Sequence, residues 1–87
     1  HRGSKQLMQT IFVQFKCQPG QAYDVADLVV RTLEETSEIY STSGDYDLLA
    51  KFYLATDADI GHFVTSKLQT IEGVKDTFTL VTFKAFS

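Results

Sequence analysis

Ser43-Gly44-Asp45-Tyr46-Asp47-Leu48-Leu49-Ala50-Lys51-Phe52-Tyr53-Leu54 holds a turn and a strand in one stretch. Gly-Asp is turn chemistry, because glycine reaches positive φ without steric cost and aspartate tolerates the same region. From Tyr46 onward the chain repeats with a period of two. Leu48, Ala50, Phe52 and Leu54 fall on one side, and Leu49, Lys51 and Tyr53 on the other. That period belongs to a strand. The residues before the turn, Ser37 to Ser43, are more polar and complete a hairpin as its outer strand.

Working towards the N-terminus, Ala22, Val25, Ala26, Val29 and Leu33 recur at helical spacing, with Asp24, Asp27, Arg31 and Glu34 opposite. Asp27 and Arg31 are four apart with the acid first, an exposed pair worth about 0.3 kcal/mol. Pro19-Gly20 separates this helix from Thr10–Cys17, where Ile11, Val13, Phe15 and Cys17 alternate with Phe12, Gln14 and Lys16 as a second strand of period two. Towards the C-terminus, Thr56 or Asp57 is suited to cap a helix with the apolar stripe Ile60, Phe63, Val64, Leu68 and Ile71. Gly73 ends it, and Thr77 to Phe86 reads as the last strand.

Strand, helix, hairpin, helix, strand with right-handed crossovers is an α+β fold of the ferredoxin-like βαββαβ type. Its four-stranded antiparallel sheet puts the first and third strands at the centre and the polar second strand at an edge. Two helices cover one face only. They take Ile11, Val13 and Phe15 with Leu48, Ala50, Phe52 and Leu54, and leave Phe12, Leu49 and Tyr53 uncovered. If the last strand is in matching register, Val81 and Phe83 join these three. A patch of that kind demands a partner, and the economical one is the same face of a second chain, giving a homodimer in a dimeric α+β barrel or sandwich.

The chain has 87 residues, the size of one domain, and domains this short gain much from pairing. Residues 1–7 read as a tail, with His-Arg-Gly-Ser resembling vector-derived sequence more than a signal peptide; Met8 is the candidate start of an 8–87 domain. Residues 8–87 carry six basic and eleven acidic side chains, a net charge of −5. That balance repels phosphate and argues against direct nucleic-acid contact. No apolar run approaches the ~20 residues that span a bilayer. With Cys17 as the only cysteine there is neither an internal disulfide nor a multi-thiolate metal site, and the expected compartment is the cytoplasm.

Motifs for catalysis are absent: there is no glycine-rich phosphate loop, paired-histidine helix, CxxC or serine-nucleophile pattern. No cofactor or metal is expected. His62 falls on the polar side of the second helix and reads as a solvated histidine, Cys17 as a buried small hydrophobe, and Lys67 as a stem laid on apolar surface with its charge in water. The hairpin differs. Gly44, Asp45, Tyr46 and Asp47 pack a free backbone, two carboxylates and a phenol into four residues, and Thr77 and Thr79 share a face of the last strand. These six are the candidate ligand-binding residues.

The Ser-Gly-Asp-Tyr-Asp-Leu-Leu run of 43–49, Phe63 and Leu68 in the second helix, Ile71-Glu72-Gly73-Val74 and the Thr77, Thr79 pair resemble the ligand-binding domain of Lrp/AsnC transcriptional regulators. The resemblance covers residues 8–87. It implies dimers joined by facing sheets, assembly of four or five dimers into octamers or decamers, and a small effector, typically an amino acid, held between dimers by Gly44, Asp45, Tyr46, Asp47, Thr77 and Thr79. Full-length members carry a helix-turn-helix domain before this one. The chain therefore resembles the stand-alone form, which would sense an effector and act on transcription by mixing with full-length family regulators. The competing reading is a dimeric α+β-barrel enzyme, a small monooxygenase or isomerase, drawing on His62, Asp47 and Tyr53. It needs a titratable group inside the sheet cavity, where Phe12, Leu49 and Tyr53 dominate.

Overall fold

Alternation along the chain becomes a sheet with two unlike faces in the computed structural model, which describes residues 8–86. The expected tail, residues 1–7, lies outside the described residues. Strand β1 is Met8–Cys17, helix α1 Ala22–Thr32, β2 Thr36–Ser41, β3 Leu48–Ala55, a helical turn α2 Ile60–Phe63 that widens into a π-helical turn Val64–Leu68, and β4 Val74–Val81. The strand order is β2-β3-β1-β4 and every pairing is antiparallel, so β1 and β3 are central and the polar β2 is an edge, as expected.

One face is closed by the helices. Ile11, Val13, Phe15, Leu48, Ala50, Phe52 and Leu54 are buried there against Val25 and Val29 of α1 and Phe63, Val64, Leu68 and Ile71 of the second helical segment. Phe52 meets Phe63 edge-on, with ring centroids 5.3 Å apart at 70°, a geometry that adds attraction beyond area burial. Cys17 belongs to the same core. Solvent takes the opposite side of α1, where Arg31 Nε donates to Asp27 Oδ2 at 2.8 Å.

Element ends depart from the sequence reading for identifiable reasons. The second helix starts at neither Thr56 nor Asp57. Its cap is Asp59, an extended residue whose Oδ1 accepts the backbone N–H of His62 at 3.1 Å. The widened turn, closed by Gln69 N–H to the Val64 carbonyl at 2.8 Å, keeps Val64 and Leu68 both buried. Gly73 follows at φ +96°, where a Cβ would come within 2.9 Å of Val25 Cγ2; the chain turns into β4 against α1 through a gap that fits only glycine. Strand β4 begins three residues earlier than expected and stops at Val81, because the Thr82 hydroxyl donates to the Thr10 carbonyl at 2.7 Å in place of a ladder bond. In β3 the first ladder residue is Leu48; Tyr46 and Asp47 still belong to the turn.

The register of β4 corrects one expectation. Phe12 lies opposite Leu80, Gln14 opposite Phe78, and Ile11 opposite Val81. Directly opposed residues share a face, so Val81 points to the helix side while Phe78 and Leu80 accompany Phe12, Leu49 and Tyr53 on the helix-free side. A shift of one residue reverses every side chain. Phe83 lies beyond the strand, almost wholly exposed.

Candidate functional site

The six candidate ligand residues gather at one end of the sheet but are divided between its faces. Gly44 stands at φ +101° at the tip of the hairpin, with open space where a Cβ would be. That leaves the backbone free for close approach by another molecule. Asp45 beside it is exposed. Tyr46 turns to the helix-free side, with its ring 6.2 Å from that of Phe78 and Lys16 Nζ 5.7 Å from its centroid.

Asp47 has a structural task that the sequence did not reveal. Its Oδ2 accepts the Cys17 backbone N–H at 2.7 Å, and its own N–H donates to the Phe15 carbonyl at 2.8 Å. The carboxylate thus closes the end of β1, where the ladder is interrupted by a register shift at Lys16/Cys17. Burial raises the Cys17 thiol pKa, and the nearby Asp47 charge pushes in the same direction, which disfavours a reactive thiolate. Cys17 therefore matches its expected reading as an inert core residue.

Thr77 and Thr79 share a face, as expected, but it is the helix side, opposite Phe15 and Val13. The Thr77 hydroxyl accepts from Gln69 Nε2 at 3.1 Å. Gln69 is absent from the candidate cluster, and no local pattern points to it, since the contact spans two elements. Lys16 and Asp76 sit opposite each other on the helix-free face at the same end. The hairpin and the two threonines thus line the end of the sheet from both sides, and a molecule held there by both groups has to wrap the edge or be enclosed by another chain.

Two clefts lie at the other end. The larger, about 610 Å³, includes Met8, Glu34, Glu35, Tyr53, Leu54, Asp59, His62, Phe63 and Lys67 in its wall. Here Lys67 Nζ bonds Glu35 Oε2 at 3.1 Å and lies 6.0 Å from the Phe63 ring centroid, so its charge is paired rather than simply hydrated. His62 is exposed. Among the described residues no group of three or more His, Cys, Asp or Glu side chains is placed to hold a metal ion. The smaller cleft, about 530 Å³, lies by Phe12, Lys51 and Phe83. Among the described residues no helix is long and apolar enough to cross a membrane.

The helix-free face carries a polar network among its apolar residues. Tyr40 Oη donates to Glu38 Oε1 at 2.5 Å, Lys51 Nζ stands 3.9 Å from Glu38 Oε2, and the same ammonium is 5.2 Å from the Tyr53 ring centroid. Hydrogen bonds from Lys51 and then Ser37, with the Lys51 charge, lower the Tyr53 pKa; the bond to Glu38 and its charge raise that of Tyr40.

Residues 10–87 match the family model of the Lrp/AsnC ligand binding domain. The HTH-type transcriptional regulator FL11 of Pyrococcus furiosus is 32% identical over 73 residues, covering 84% of this chain and 47% of that protein. The chain spans about half the length of the curated relatives it matches. Among solved structures, TTHA0845 from Thermus thermophilus superposes with a TM-score of 0.77 at 29% identity, covering 91% of this chain and 98% of that one. The transcriptional regulator NMB0573 of Neisseria meningitidis, solved as a complex with L-Met, superposes with a TM-score of 0.82 at 22% identity, over all of this chain and 57% of that one, a likeness of fold.

Proposed function

We propose that this chain, which belongs to the family of Lrp/AsnC ligand binding domains, is the effector-sensing part of a transcriptional regulator, pairs with itself through its helix-free sheet face, and takes an amino acid at the hairpin end. The family is that of a ligand-binding domain rather than a catalytic one, and the relative FL11 is named as an HTH-type transcriptional regulator. The L-Met complex of a structural neighbour supports an amino acid as the class of effector.

The observation that carries the site is the division of the six residues between the two faces at one end of the sheet. A free amino acid needs a carboxylate for its ammonium group and several donors for its carboxylate. Asp45, with the Asp47 oxygen not engaged by Cys17, supplies the first. The hairpin N–H groups and the Thr77 and Thr79 hydroxyls supply the second. A second dimer closes the pocket, which leads to octamers or decamers. Because residues 8–87 carry net charge −5, DNA is contacted through other polypeptide, either full-length family regulators or further sequence, in the cytoplasm.

A thermal-shift screen against the common amino acids tests this. At 100 times Kd an effector adds about 2.7 kcal/mol, which raises Tm by roughly 10 to 20 °C in so small a domain. Calorimetry then locates the site: Asp45→Ala or Thr79→Val should weaken binding about 10- to 150-fold. An effector whose affinity ignores Gly44→Val, Asp45→Ala and Thr79→Val alike binds elsewhere.

A further inference from the structure

The helix-free face is electrically unlike the rest of the molecule. Its strand positions are Met8, Thr10, Phe12, Gln14 and Lys16 of β1, Glu38 and Tyr40 of β2, Leu49, Lys51, Tyr53 and Ala55 of β3, and Asp76, Phe78 and Leu80 of β4, as the registers require. Two bases, Lys16 and Lys51, stand against two acids, Glu38 and Asp76. The face is neutral although residues 8–87 together carry −5. The excess negative charge therefore lies off this face, so two copies can approach here without the repulsion met elsewhere. Neutrality made of opposite charges is also what a two-fold interface needs, since each patch must complement itself.

Of the two pairs, Glu38 and Lys51 lie farther from the hairpin, beside Tyr40 and Tyr53, and Lys51 is directly opposite Phe12 on the central strand. Their contact is loose: 3.9 Å between charged atoms, with the Lys51 side chain 26% and the Glu38 side chain 46% exposed. An ion pair so open contributes little within one chain and keeps donors and acceptors free for another. We infer that Glu38 and Lys51 are the partner-selecting charges of this face: its occupant is a second copy of the chain, and the two residues meet their counterparts reciprocally across the two-fold axis. This rests on the proposed pairing of sheet faces. A charge pair set among apolar side chains in such a contact acts mainly by penalising wrong partners, here any related face that carries like charges at these positions.

A charge-swap experiment with the full chain tests the inference, with dimers counted by native mass spectrometry and sedimentation. Lys51→Glu and Glu38→Lys should each self-associate about 100-fold or more weakly than the parent. Mixed one to one, they should form the heterodimer in preference to either homodimer. The uncharged double variant Lys51→Gln/Glu38→Gln, which does not depend on either reversal folding, should pair with itself and with the parent indiscriminately. Reversal variants that dimerise like the parent, a statistical 1:2:1 mixture, or a double variant that still discriminates would overturn the inference. Phe12→Asp separates the two levels. If it leaves the dimer intact, the sheet-pairing reading fails; if it dissociates the dimer while the charge swaps are silent, only the selecting role of Glu38 and Lys51 fails.

Discussion

The same four strands present two surfaces that ended differently. On the helix side Ile11, Val13, Phe15 and Phe52 keep 0% of their accessible surface, while on the other side Tyr53, Phe78 and Leu80 keep 40%, 49% and 44%. The first face is complete within one chain. The second has comparable apolar side chains but intersperses Lys16, Glu38, Lys51 and Asp76 among them, so that it tolerates water until a partner arrives. A strand's alternation provides two half-surfaces, and their fates depend on which one the helices cover.

The largest expected effect breaks the closed face. Phe52→Ala removes the edge-on contact with Phe63 and should cost about 3 to 5 kcal/mol, measured by denaturant unfolding. For a domain this small that is a large share of its total stability. A loss below about 1 kcal/mol would mean that the core reshapes itself freely and that the contrast between the faces is overstated.

Next comes the open face. Phe12→Asp should abolish sheet pairing, because a charge brought into an apolar contact costs several kcal/mol. Light scattering should then report 9.8 kDa in place of a multiple of it, while circular dichroism still shows the helices and strands. The smallest effect concerns protons on the same face. Tyr53 should ionise below the usual tyrosine value of 10 and Tyr40 above it, resolved by ultraviolet titration of the parent against Tyr53→Phe and Tyr40→Phe. The depressed Tyr53 value adds folded-state stability above pH 10 that is lost as pH falls through its folded pKa. The raised Tyr40 value adds stability below pH 10 that is lost as pH rises through its own. Near neutral pH both are protonated in either state, so neither should alter unfolding there. Lys51→Met should shrink the Tyr53 shift, leaving the part that Ser37 supplies; a Tyr53 titration unchanged in that variant would exclude Lys51 as its main cause.

Much of this molecule was determined by sequence alone. The period-two sets of Thr10–Cys17 and Leu48–Leu54, and the helical set from Ala22 to Leu33, identified the elements and the buried face, because pleat and helix pitch convert spacing directly into side. Order and edge followed from connection rules, and the hairpin from Gly44-Asp45. Tertiary structure decided what depends on pairing between distant segments. Thr77 to Phe86 places Thr and Phe on both parities and one branched aliphatic on each, Leu80 and Val81, so no count within it reveals that Phe78 and Leu80, rather than Val81, face with Phe12; only the ladder to β1 does. The Asp59 cap likewise had two nearby competitors in Thr56 and Asp57, and the packing of Phe63 and Leu68 chose among them. Asp47 is the plainest case: a turn aspartate by sequence, it becomes the acceptor for Cys17 N–H because the fold brings residues thirty apart within 2.7 Å. Local spacing fixes direction; a partner from elsewhere in the chain fixes register and contact.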